Sequence, residues 1–297
     1  NLFEKKLTAQ EAGQAAVDYA NKYLLAGGPE ATFAGASEEN GVYAFKLKID
    51  DQEYTSYVTK NGKMMFVSGI PLIAPEDQIP DVTKADKPDV KLFVMSYCPY
   101  GLQAEKMYLP VYDLLKNDAN MGIYFVNYAM HDKKEIDENL RQYCIQKEQN
   151  DKYADYLQCF ITGKDPAGGE ADYSTCLTKA GIDKTKLAAC VAQADKEFNI
   201  TKNYNDKASY VSGQFPKVEI NNDLNEKYGV QGSPTIIIND KEVSLNDRSP
   251  NSFFKAVCSA FNNPPEVCSQ TLSSDQPSPG FGEETVSGAS SGGGCVN

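Results

Sequence analysis

The apolar run Leu92-Phe93-Val94-Met95 stops abruptly at Ser96-Tyr97-Cys98, and a helix-forming stretch begins at Pro99. The run reads as a buried strand and the polar triplet as a tight turn, so this segment commits the chain to packing a helix on a sheet. A cysteine at that junction lies at the N-terminal end of a helix. Unpaired backbone N–H groups and the positive end of the helix dipole favour a thiolate there. Pro99 suits the first helical position because its missing donor would be unpaired anyway. Three positions after Cys98, where a second cysteine would close a local disulfide, stands Gly101. Cys98 therefore has no Cys-x-x-Cys partner.

The flanking sequence divides the chain. In residues 1–75, Thr8-Ala-Gln-Glu11 is a capping box ahead of helically spaced apolar residues, which Gly27-Gly28-Pro29 ends. Alternation over Val42–Ile49, a turn at Asp50-Asp51, and Asn61-Gly62 as a type I′ hairpin signal predict a helix laid over an antiparallel meander. This small α+β domain shows no chemistry and reads as an association module whose edge strands can pair. Residues 76–89, with Pro80 and Pro88 among acidic residues, read as a stiff linker. Strand 90–95, helix 99–116 with a kink expected at Pro110, and strand 122–128 make a βαβ unit. Its right-handed crossover brings His131 to the same sheet edge as Cys98. Residues 133–200 are too long for a loop and read as an inserted helical subdomain. Ser233-Pro234-Thr235 precedes the buried strand Ile236–Ile238, a hairpin through Asn239-Asp240 follows, and a last helix spans about 250–261. Beyond Cys268 the chain turns to Ser, Gly and Pro, and residues 269–297 read as a flexible tail.

Composition removes several functions. The formal net charge is −12 and there is one histidine among 297 residues. That charge opposes nucleic acid and anionic membrane surfaces. No apolar run reaches a membrane span, and no cysteine knuckles or histidine pairs suggest a metal. No cofactor is implied. The chain opens at Asn1 rather than Met, which reads as a processed chain. Asn199-Ile-Thr201 fits a glycosylation sequon. Eight cysteines (Cys98, Cys144, Cys159, Cys176, Cys190, Cys258, Cys268 and Cys295) point to an oxidising, extracytoplasmic setting: secreted, periplasmic, cell-surface or luminal. Cys258 and Cys268 flank a turn and can bridge. The four insertion cysteines pair either adjacently (Cys144–Cys159, Cys176–Cys190) or nested (Cys144–Cys190, Cys159–Cys176), and spacing does not separate the two.

Together the Cys98 turn and Ser233-Pro234-Thr235 resemble a thioredoxin fold, in which a cis proline faces the active-site sulfur. The helical insertion makes it similar to the DsbA-type branch. Asn139-Leu-Arg-Gln-Tyr-Cys144, the stretch from Cys176 through Ala180-Gly181-Ile182-Asp183 to Cys190, and Phe253-Phe-Lys-Ala-Val-Cys258 to Cys268 resemble gamma-interferon-inducible lysosomal thiol reductases. They also resemble the luminal domain of plant vacuolar sorting receptors. The resemblance covers residues 90–268. It implies an α/β fold with a disulfide-stapled insertion, Cys98 as nucleophile toward protein thiols or disulfides, and a histidine such as His131 near the thiolate. Pro234 would expose a strand edge, with Tyr97, Pro99, Tyr100, Ser233 and Thr235 contacting an extended substrate. Gly101 departs from the reductase pattern, and the sorting receptors, which lack the dithiol, act as binding modules.

Two functions are therefore expected: a thiol–disulfide exchange protein with one nucleophilic thiol, or a redox-inactive binding or assembly module. The sulfur left over is Cys295, which follows Gly292-Gly293-Gly294 and lies 27 residues past Cys268. A flexible chain of that length spans about 29 Å, against a domain radius of gyration of about 17 Å. Cys295 can thus reach Cys98 in its own chain or a neighbour's, as a resolving thiol or a covalent link between subunits.

Overall fold

The computed structural model describes residues 7–49, 52–69, 82–163, 172–245, 247–283, 285–286 and 294–296. The chain forms two compact units, Asn1–Ile73 and Ala74–Asn297.

In the first unit the Thr8 hydroxyl accepts from the Glu11 amide while the Glu11 carboxylate accepts from the Thr8 amide, opening helix α1, Ala9–Tyr19. The helix buries Ala12, Ala16 and Val17 against Phe45, Leu47 and Val58. It lies close to the sheet because Gly13 has no side chain: a Cβ there would stand 2.7 Å from the Phe33 ring. The sheet is an antiparallel meander in the order β1 (Ala31–Glu39), β2 (Val42–Ile49), β3 (Gln52–Val58) and β4 (Met65–Phe66). Strand β1 is an addition to the expected meander. The type I′ turn belongs to Asn40-Gly41, where both residues have positive φ (48° and 83°) between β1 and β2. At Asn61-Gly62 only Gly62 has positive φ, and the Asn61 side chain accepts from the Lys63 amide. The expected hairpin type there is therefore corrected: an asparagine side-chain turn replaces it.

In the second unit β5 (Asp89–Val94), helix α2 (Pro99–Leu115) and β6 (Asn120–Phe125) form the crossover, with β5 and β6 parallel. Helix α2 is continuous through Pro110. Helices α3 (Asp132–Glu148), α4 (Tyr153–Thr162), α5 (Tyr173–Lys179), α6 (Lys184–Glu197) and α7 (Ile200–Asn205) form the insertion. Then follow α8 (Asn222–Tyr228), β7 (Gly232–Ser233), β8 (Thr235–Ile238), β9 (Lys241–Glu242) and α9 (Pro250–Ser259). The sheet order is β6-β5-β8-β9, with β8 antiparallel to β5 and a hairpin through Asn239-Asp240, both at positive φ. Alternation along β5 sends Val90, Leu92 and Val94 into the core under α2, α9 and the insertion, and Phe93 and Met95 into a second core with Val126, Val230 and Ile237. A parallel βαβ followed by an antiparallel hairpin, with helices on both faces, is a thioredoxin-like α/β fold.

The insertion cysteines are nested: Cys144–Cys190 and Cys159–Cys176. Helix α3 lies beside α6 and α4 beside α5, so each bridge staples a neighbouring pair. Within this subdomain the buried Glu138 carboxylate pairs with Arg141 and accepts from the Tyr156 hydroxyl and the Gln142 amide. Cys258 bridges Cys268 behind α9.

Two expectations are corrected. In the linker region, residues 76–81 lie outside the described residues. Ala85, however, bonds in both directions to the end of α9 (its amide to the Ala260 carbonyl, its carbonyl from the Asn262 amide), and Asn239 caps the Asp89 amide. From Ala85 to Asp89 the chain is docked on the second unit rather than spanning as a stiff linker. The tail too is packed over residues 272–283. Its strand β10 (Gln276–Pro277) pairs with β11 (Thr285–Val286), and its carbonyls take bonds from α2 side chains. Composition correctly denies this segment a core of its own, but its backbone is satisfied by donors from the neighbouring helix.

Non-reducing peptide mapping should recover Cys144 linked to Cys190 and Cys159 linked to Cys176. Replacing the Cys159–Cys176 pair by serines should cost about 3 kcal/mol in chemical denaturation, as expected for a closed loop of this size. Recovery of adjacent pairs would overturn the arrangement.

Candidate functional site

At the C-terminal end of β5 the chain tightens so that the Cys98 amide bonds the Met95 carbonyl at 3.0 Å. Cys98 is the N-cap of α2, with Pro99 at the first helical position and no side-chain cap bond. Across from it the Ser233–Pro234 peptide is cis. Ser233 contacts this turn twice and also pairs with a further strand. Its hydroxyl accepts from the Met95 amide at 2.9 Å, its carbonyl oxygen lies 3.6 Å from Cys98 Sγ, and its main chain carries the next strand. That strand is β12, Cys295–Val296, antiparallel to β7 with Cys295 opposite Ser233 and Val296 opposite Gly232. Cys295 is disulfide-bonded to Cys98, with Cα atoms 6.1 Å apart. The bridge closes within one chain, one of the two arrangements the tail sequence allows.

Cys98 is fully buried at its helix start. It packs among Phe93, Met95, Val126 and Ile237, with Cys295 of the tail against the same cluster. The other expected substrate contacts are engaged as well, three of them by the tail. The Pro99 carbonyl accepts from the Gly280 amide. The Tyr97 ring meets Phe160 and Phe281 edge-on, with Lys134 Nζ 4.4 Å from its centroid. Tyr100 lies beside Cys98 and Cys295 in one apolar cluster and beneath the Arg248 guanidinium. Thr235 belongs to β8 opposite Phe93, its hydroxyl donating to the Gly232 carbonyl.

Gly101 is held to its identity by space. A Cβ at this position would stand 2.7 Å from Ser233 Oγ and 2.9 Å from the Met95 carbonyl oxygen. The place of a local second cysteine is therefore occupied by the serine that carries Cys295.

His131, expected near the thiolate, turns Nδ1 to Glu135 at 2.7 Å. The buried Glu135 carboxylate also accepts from the amides of Met130, His131 and Tyr97. Asn139, one turn further along α3, accepts from the Ser96 amide. His131 thus belongs to a network that fixes the turn ahead of Cys98, through a carboxylate that sequence reading missed. The available signal was the i,i+4 spacing of His131 and Glu135. Glu105, also on α2, is buried with both carboxyl oxygens unpartnered. Burial pushes its carboxyl well above the ordinary range, with Lys106 opposing, which favours the protonated form. Among the described residues no group of His, Cys, Asp and Glu could hold a metal ion, and no helix is long and apolar enough to cross a membrane.

No protein-family model matches the sequence, and no curated protein matches it. Among solved structures it is similar to oxidised BdbD from Bacillus subtilis (21% identity over 55% of this chain and 82% of that one, TM-score 0.35). It is also similar to reduced DsbA from Mycobacterium tuberculosis (15% identity, 63% and 91%, TM-score 0.41). A third is the reduced disulfide bond oxidoreductase DsbG of that organism (15% identity, 66% and 93%, TM-score 0.40).

Gly101→Ala should lower stability by about 1–3 kcal/mol through overpacking. Combining it with Ser233→Ala should cost less than the sum of the single changes, because the second removes the clash with Ser233 Oγ and leaves only that with the Met95 carbonyl. Additive losses in denaturant titrations would refute the space argument. Glu105 supplies a pH test. As pH rises past about 4.3 the unfolded chain releases this proton while the folded protein keeps it. Its contribution is therefore whole in acid and is lost as pH rises toward the folded value. Glu105→Gln should gain on the wild type by up to about 1.4 kcal/mol per pH unit in that window. A difference constant from pH 4 to 8 would refute a neutral carboxyl.

Proposed function

We propose that this protein is an extracytoplasmic thiol–disulfide exchange protein in which Cys98 is the nucleophile and Cys295 serves as the resolving sulfur denied to position 101. The observation that carries this reading is the antiparallel pairing of Cys295 with Ser233, beside Pro234, while its sulfur is bonded to Cys98. The tail lies where an extended, cysteine-bearing peptide would lie. In the reduced protein the N-terminus of α2 favours the Cys98 thiolate. The thiolate attacks one sulfur of a substrate disulfide, forming a mixed disulfide and expelling the other sulfur as a thiolate that takes up a proton. The Cys295 thiolate then attacks Cys98 Sγ, breaks the bond to substrate and closes Cys98–Cys295. The substrate gains two electrons and two protons, and the protein loses them. A dithiol donor restores the reduced protein, and the sequence runs backward when the substrate is the dithiol. His131, through Glu135, and Pro234 shape the turn and the edge. Tyr97, Pro99, Tyr100, Ser233 and Thr235 receive the peptide once the tail has left.

The four bridges within one chain support an oxidising compartment. Resemblance to the lysosomal thiol reductases favours the same chemistry. Resemblance to the vacuolar sorting receptors keeps a second reading, a redox-inactive binding module in which Cys98–Cys295 is a permanent staple. The first unit is read as an association module for a second copy: beside β4, at the sheet edge, Met64, Phe66 and Val67 are exposed.

Insulin reduction with dithiothreitol as donor separates the two functions. The wild type should accelerate turbidity, and Cys98→Ser should return it to the uncatalysed rate. Equal rates for both proteins would remove the exchange reading and leave the binding module.

A further inference from the structure

Strand β12 lies along β7 as a bound peptide would, so its register says where the neighbours of a substrate cysteine fall. Cys295 is opposite Ser233 and Val296 opposite Gly232. Continuing the antiparallel pairing by one residue sets Gly294 opposite Pro234. Side chains alternate across a strand, and directly opposed residues share a face. Cys295 packs with Cys98, Met95 and Ile237 on one side of the sheet. Ile236 and Ile238 belong to the core on the other side, under α2. Pro234 has the parity of Ile236, so a side chain in the place of Gly294 would turn toward α2.

A cavity of about 130 Å³ lies on that side. Its lining includes Pro234 and Ile236, Ala104 and Met107 of α2, and two charged residues, Glu242 and Arg248. Glu242 is exposed, whereas Arg248 is half-buried. The Arg248 guanidinium lies over the Tyr100 ring, 5.6 Å from its centroid, and Nη1 donates to Gln103 Oε1 at 3.1 Å. Burial draws its proton affinity below the ordinary arginine range, with Tyr100 opposing. A cation partly stripped of water attracts an added carboxylate strongly, while the exposed Glu242 repels it through a screening solvent. We propose that this cavity is a subsite for the residue preceding the substrate cysteine, and that Arg248 selects an acidic side chain there. The proposal rests on the reading of Cys98 as the exchanging sulfur. With glycine at this position the tail makes no use of the subsite, so an acidic substrate gains a contact that the strand it displaces lacks. The net charge of −12 repels acidic peptides at long range, so a preference for them marks a local cation.

Short peptides Xaa-Cys-Val, blocked at both ends and carrying Glu, Gln or Lys at Xaa, are the probe. A peptide thiolate attacks Cys98 Sγ and the Cys98–peptide bond forms. The Cys98–Cys295 bond breaks, and Cys295 departs as a thiolate that takes up a proton. The full-length protein is equilibrated with equal concentrations of two peptides, and intact-mass analysis after acid quench gives the ratio of the two mixed disulfides. The same competition for N-acetylcysteine corrects for differences between the thiols themselves. At low salt Glu should exceed Gln about fivefold and Lys about tenfold. Both ratios should fall toward one in Arg248→Met, and Arg248→Lys should keep a preference for Glu over Lys. A second measurement needs no variant: in about 1 M salt the wild-type ratios should also fall toward one. Equal occupancy by the three peptides at low salt, or wild-type ratios in Arg248→Met, overturns the subsite. Mixed disulfides formed without side-chain preference remove the subsite alone. If no peptide bonds to Cys98 in the wild type or in Cys295→Ser, the exchange function itself fails, and the subsite with it.

Discussion

The hydrogen bond from the Met95 amide to Ser233 Oγ ties together the two pieces of chain that make the site. It holds the end of β5 to the segment ahead of Pro234, and the serine side chain then fills the only space in which position 101 could carry a side chain. A local second sulfur and this hydroxyl exclude one another. Once Ser233 is present, a partner for Cys98 must approach from outside α2. The free edge of β7, whose main chain is the serine's own, is where it approaches. Gly101, Ser233 and Cys295 form one steric argument spread over nearly 200 positions.

Two buried carboxylates near this junction differ in their neighbours. Glu135 collects three backbone amides and the His131 ring, and it fixes the turn containing Ser96 and Tyr97. Glu105 has the same side chain and equal burial with no hydrogen-bond partner, and burial favours its protonated form. One organises the approach to Cys98. The other is a liability of a helix whose opposite face is taken up by Gln103 and Lys106 gripping the tail.

What could be read from the sequence follows from what is local. The β5–turn–α2 junction, the Asn239-Asp240 hairpin and the Cys258–Cys268 bridge each declare themselves within about ten positions, through apolar runs and turn residues. Strand β1 did not, because Ala31–Glu39 is an edge strand of small and charged residues with a bulge at Gly35 that breaks its alternation. The nesting of the insertion bridges is set by which helices lie side by side, and both pairings satisfy the spacing. Glu135 and Lys106 read as ordinary surface charges on helices. The order of the tail over residues 272–283 was least visible of all, since its partners bond backbone carbonyls, which every sequence possesses.

Moving the second sulfur from the first turn of α2 to a remote strand separates two properties that a local dithiol couples. In a Cys-x-x-Cys turn both sulfurs share one helix end, so any change to their spacing also changes the dipole and the N–H groups that favour the thiolate. Here Cys98 keeps the helix end to itself. Cys295 is held by strand pairing at Ser233 and by the disulfide itself, neither of which draws on the first turn of α2. The strand that supplies the sulfur also occupies the edge of β7, so reduction of Cys98–Cys295 would free the thiol and remove the covalent hold on that strand in a single event.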